Sequence, residues 1–147
     1  MQTKIQQSVL SGIAATIVMT LLMILGGIMG LPEMSPPDML SSIIGISDLG
    51  GWVIHFLIGI TFAAGYVFVF NGLLKKIQNT VLKGAVYGVV AFIIAQISFP
   101  LMGAIFGEAN MPEPEGSMAL LMIGGVVGHI VFGIVIVLMT NPTTPSK

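Results

Sequence analysis

The chain contains no cysteine. Disulfides, thiolate metal ligands and thiol redox chemistry are excluded with it. Charge is nearly as scarce. Only 7% of the 147 residues are Asp, Glu, Lys or Arg, against about 25% in an ordinary soluble domain. The five basic residues are all lysine and form no basic stripe, so nucleic acid is not an expected partner. Aromatic residues make up 7% of the chain. No phosphate loop, nucleophile triad or zinc-protease motif occurs. No Asp, Glu or Arg falls in the middle of an apolar stretch. The charge relay of a proton- or ion-coupled transporter is therefore missing.

What remains is apolar. Hydrophobic residues make up 55% of the sequence, and four stretches, about 8–30, 49–71, 81–106 and 118–140, approach or exceed the roughly 20 residues that cross a bilayer. Lys83, near the start of the third, is the one charge well inside them. The expectation is an all-α fold: a four-helix transmembrane bundle in a lipid bilayer, forming a single domain over residues 1–147. The first stretch is too long for a signal-peptide core and is expected to be retained. Lys4, Lys75, Lys76, Lys83 and Lys147 fall at the termini and around the middle loop. Glu33, Asp38, Asp48, Glu108, Glu113 and Glu115 fall in or beside the other two loops. Lysine-rich short loops face the cytoplasm, so both termini are expected inside.

The chain also reads as a duplication. Gly50-Gly51-Trp52-Val53-Ile54-His55-Phe56-Leu57-Ile58-Gly59-Ile60 recurs as Gly124-Gly125-Val126-Val127-Gly128-His129-Ile130-Val131-Phe132-Gly133-Ile134. Both fit Gly-Gly-x-Val-x-His-x-x-x-Gly-Ile. The first helices match more weakly, with Val9-Leu10-Ser11-Gly12 against Val81-Leu82-Lys83-Gly84. Repeat one covers about 8–72 and repeat two about 81–140. Each crosses twice, so the copies share one orientation, and a pseudo-two-fold axis along the membrane normal is expected.

His55 and His129 are the only histidines. An ionisable residue inside a membrane helix is costly and marks a candidate site. Helical spacing puts Gly51, His55 and Gly59 on one stripe, and Gly125, His129 and Gly133 on another. Glycines flanking a histidine leave room for a flat macrocycle, or let a neighbouring helix approach closely. The first option is one haem b, its iron ligated by His55 and His129, with Gly51, Gly59, Gly125 and Gly133 making space. Against it, the acidic loops offer no basic residue to haem propionates. In the second, each histidine hydrogen-bonds a neighbouring helix through Thr16, Thr20, Gln96 or Ser98. Such a bond contributes about 0.6–2 kcal/mol.

Three further features are weighed. Met29, Met34, Met39, Met102, Met111, Met118 and Met122 gather toward the acidic-loop side, and thioether with imidazole suits Cu(I); methionine is also an adaptable filler. Glu33, Asp38, Glu113 and Glu115 form a solvated surface or a cation site. Pro100 is expected to kink the third helix and free a carbonyl near Gln96. Ser35-Pro36-Pro37-Asp38 reads as a helix start and Gly45 as its stop, predicting a short interfacial helix over 36–44. An extended turn is expected around Met111-Pro112-Glu113-Pro114-Glu115, and a frayed tail from Asn141.

The duplicated histidine motif within four short apolar helices resembles a family of small uncharacterised bacterial four-helix membrane proteins with an internal two-helix duplication. The resemblance covers nearly the whole chain and implies a bacterial inner (cytoplasmic) membrane setting. The functional expectation is a membrane subunit, not an enzyme by itself. It would pass electrons through one bis-histidine haem b within a membrane complex such as a respiratory one. Alternatives are a structural or accessory subunit with hydrogen-bonding histidines, and a small transporter or copper-handling protein. Partners are other subunits of the complex or further copies of the chain.

Overall fold

A computed structural model describes residues 2–32, 35–106 and 116–140. Four helices are long and apolar enough to cross a membrane, and no strand occurs among the described residues. The chain is thus a multi-pass, all-α membrane protein with a four-helix bundle. The turn expected around Met111 to Glu115, the tail from Asn141, and Glu33 and Met34 lie outside the described residues.

Helix α1 spans Lys4–Ile28. It starts earlier than its apolar run because Thr3 and Gln6 form a capping box, each side chain accepting the other's backbone N–H. Helix α2 spans Pro36–Ile44, matching the short helix read from Ser35 to Gly45. Ser35 is the N-cap residue without a side-chain cap bond, and Gly45 ends the helix at φ 72°. Leu40 and Ile43 are buried beneath it. Helix α3 spans Asp48–Gly65, with Ser47 accepting the Gly50 N–H at 3.3 Å. It runs on through a π turn, Tyr66–Phe70, into the short α4, Asn71–Leu73. Helices α5, Thr80–Phe106, and α6, Met118–Thr140, complete the bundle. Pro100 sits inside α5, where its missing N–H leaves the Gln96 carbonyl without its usual partner.

Helix α1 packs along α3 and α6, and α5 packs along α6. One contact occurs at corresponding places in both halves. A Cβ on Gly12 of α1 would overlap the Ile60 backbone and press on the Gly59 carbonyl of α3. A Cβ on Gly84 of α5 would overlap Ile134 and press on the Gly133 carbonyl of α6. These crossings need glycine because the backbones themselves touch.

The expected two-fold relation breaks at one pair. Symmetry would match the α1–α6 packing with equal packing between α3 and α5. Instead the backbones of α3 and α5 stay apart. They meet through side chains toward the lysine-bearing end. There the Tyr87 hydroxyl donates to the Phe62 carbonyl, and the Tyr87 ring lies 5.0 Å from Tyr66 and 5.4 Å from Phe70. The core concentrates at that end, in Tyr66, Tyr87, Phe132, Ile136 and Val137. At the other end α2 packs on α3 and reaches α5.

Candidate functional site

The separation of α3 from α5 leaves a cavity of about 210 Å³ beneath α2. All five principal helices line it. Its aromatic wall is Phe62, Phe92, Phe99 and Phe132, and Leu40 of α2 closes the end. It is incompletely enclosed. Ile58 on α3 and Ala95 and Phe99 on α5 border it and are not fully buried, on the side where α3 and α5 stand apart. In a bilayer a gap between those two helices faces lipid, so an opening there is lateral.

Both histidines line this cavity. The sequence singled them out, and the fold brings them to one space. His55 is 5% exposed, and its Nε2 pairs with Thr20 Oγ1 of α1 at 3.1 Å. The His129 Nδ1–H donates to the Gly125 carbonyl of its own helix at 2.8 Å. That bond fixes the tautomer of His129: Nδ1 carries the proton and Nε2 keeps its lone pair. Neither ring makes a second hydrogen bond among the described residues. Each imidazole therefore has one nitrogen tethered and one without a protein partner. Trp52 and Phe56 flank His55, with centroids at 6.2 and 6.1 Å. Phe92 meets His129 edge-on at 5.5 Å.

Of the expected hydrogen-bond partners, only Thr20 holds a histidine. Thr16 donates to the Gly12 carbonyl, Ser98 to the Ile94 carbonyl, and Gln96 Nε2 to Met122 Sδ. The four flanking glycines divide. A Cβ on Gly51 would overlap the Pro37 carbonyl of α2, and one on Gly133 would overlap the Gly84 carbonyl and Gly88 of α5. These two serve helix contacts. Gly59 and Gly125 line the cavity, although Gly59 also abuts Thr16.

The methionines are redistributed. Met39 and Met102 reach the cavity as part of the set noticed in the sequence, and Met19 and Met23 of α1 join them. Those two were missed because nothing in a uniformly apolar helix marks which side faces inward. Met29 and Met118 are exposed, and Met34 and Met111 lie outside the described residues. Asp38 and Asp48 sit in the first turns of α2 and α3, where acids complement the helix dipole. Glu108, Glu113 and Glu115 lie outside the described residues. No group of three or more His, Asp or Glu side chains suited to a metal occurs among the described residues.

Chemically, the site is a neutral, apolar chamber with two imidazoles as its main polar groups. It has no cationic lining residue. No curated protein and no solved structure matches the chain. Residues 2–146 match a family of unknown function, DUF6789, and the chain belongs to that family.

Proposed function

We propose that this protein is a small accessory subunit of a membrane complex that holds one apolar ligand drawn from the bilayer. The carrying observation is the lateral cavity between α3 and α5, with two half-tethered histidines inside. Apolar pockets with a few convergent polar groups are the usual form of a small-molecule site. The imidazoles anchor the ligand's polar atoms, and the phenylalanine wall takes its apolar body. In this reading the protein sits in a bacterial inner membrane with both termini cytoplasmic, so the α2 end faces outward. A cysteine placed at position 113 is then labelled from outside, and one at 76 only after permeabilisation. The reverse pattern overturns the orientation.

A second reading is one haem b ligated by His55 and His129. The tethers favour it, because a ligating histidine usually donates its other N–H to a carbonyl or similar group. The Gly125 bond to His129 is of this kind. The cavity is small for a macrocycle, and α3 and α5 would have to part further to admit one. Solvent extraction and an absorbance spectrum of protein purified from its native membrane test both readings. An equimolar neutral lipophile that is lost in Ala95→Phe, which fills the cavity, supports the first. A Soret band lost in His55→Ala and His129→Ala supports the second. A colourless protein with no bound lipophile defeats both and leaves the histidines as packing groups.

A further inference from the structure

We infer that the ligand is the head group of a membrane quinone: a neutral ring with two oxygens across it and an apolar tail. This rests on the apolar-ligand reading above and narrows it to a chemical class. Three observations select the class.

Charge comes first. No lysine lines the cavity. An anionic head group, from a phospholipid or a fatty acid, would enter uncompensated at large cost. A neutral head group avoids that cost. Size comes second. About 210 Å³ is below the roughly 300–1,000 Å³ typical of sites for drug-sized molecules. It suits a single substituted ring whose tail remains in lipid, leaving between Ile58 and Phe99. The aromatic wall matches such a ring, since aromatic groups gain from edge-on and offset contacts.

Polarity comes third. A quinone and its reduced form need hydrogen-bonding groups at both oxygens. The Nε2 lone pair of His129 accepts from a ring hydroxyl, because its Nδ1–H is committed to Gly125. At His55 Nε2 is paired with the Thr20 hydroxyl, so Nδ1 is the nitrogen left for the opposite oxygen, as donor when the ring proton sits there. One ring nitrogen from each copy of the motif thus serves one chamber. A hydrocarbon needs neither, and a simple alcohol needs only one.

Trp52, the sole tryptophan, lies beside His55 and gives a built-in signal. The full chain in phosphatidylcholine nanodiscs is titrated with 2,3-dimethoxy-5-methyl-6-decyl-1,4-benzoquinone while Trp52 fluorescence is followed. Saturable quenching at one quinone per chain is expected. His55→Leu should weaken it about three- to ten-fold, the effect of one hydrogen bond; His129→Leu should do the same only for the reduced ring, whose hydroxyl the His129 Nε2 accepts, and not for the oxidised one. Ala95→Phe, which spares both histidines, should leave only linear, collisional quenching. Decylbenzene, which has no oxygens, serves as competitor. Displacement of the quinone by equal decylbenzene overturns the quinone inference and keeps the apolar pocket. Linear quenching in the unaltered protein, with no effect of decylbenzene, overturns both. If His55→Leu does not fold, His55→Phe replaces it, and unchanged affinity there also defeats the inference.

Discussion

Thr20 and Phe92 occupy corresponding places in the first helices of the two halves, and each meets the histidine of its own half. Thr20 binds the His55 ring through its hydroxyl, while Phe92 offers His129 only an aromatic edge. His129 turns instead to the carbonyl one turn back on its own helix. The same motif thus holds two helices together in one half and ties its ring to its own helix in the other. One turn away the halves differ again. Thr16 stands in the first half where Gly88 stands in the second. Gly88 lets α5 approach until a Cβ would overlap the His129 and Ile130 backbone. Thr16 instead interposes its side chain against Gly59. The second half is packed backbone to backbone. The first keeps the backbone crossing at Gly12 but one turn on is joined through the Thr16 side chain. Both halves share the backbone crossing, and differences at a few side chains set one histidine to bracing across helices and the other to its own helix.

The largest expected effect comes from erasing the difference in packing. Gly88→Thr gives α5 the residue of α1 and should lower stability by about 1–3 kcal/mol, the usual cost of overpacking. Thr16→Gly, the reciprocal change, should cost nearer 1 kcal/mol, the helix penalty of glycine. Thermal unfolding in detergent compares them, and equal losses would mean the two crossings are equally tight. The histidines should separate next. His55→Ala should destabilise by about 0.6–2 kcal/mol more than His129→Ala, because only His55 bonds across helices. A larger loss at His129 would reverse the assignment of brace and ligand group. The smallest effect is a coupling. A double-mutant cycle of Thr20→Val with His55→Ala should return roughly 0.6 kcal/mol, as intramembrane hydrogen bonds do on average. The cycle of Thr20→Val with His129→Ala should return none.

Much of the fold was legible because apolar length and turn residues act locally. The α2 helix followed from Ser35, Pro36 and Gly45, and four spans followed from hydropathy. The start of α1 at Lys4 lies in Thr3 and Gln6, outside the apolar run that marks the span. The length of the second span was legible, but its widening into a π turn at Tyr66–Phe70 was not, since hydropathy is the same for either helix and the Tyr66 hydroxyl reaches Asn71 Oδ1, at 3.3 Å, only in the folded chain. The histidines were visible as a repeated motif. Their shared cavity was not, because it arises from α3 and α5 standing apart. Nor did spacing reveal that Gly51 and Gly133 serve helix contacts, since both uses ask for the same missing side chain.

The aromatic plug of Tyr66, Phe70 and Tyr87 has an electrical consequence. It fills the bundle on the lysine side of Phe62, a residue of the cavity wall, and the Tyr87 hydroxyl donates to the Phe62 carbonyl. The chamber is a blind alley with a sideways door into lipid. A molecule can enter and leave it without opening any aqueous route from one face of the bundle to the other. Water and protons gain no path along it, and the bilayer around it keeps its resistance. The proposed ligand would exchange there without short-circuiting a gradient across the membrane.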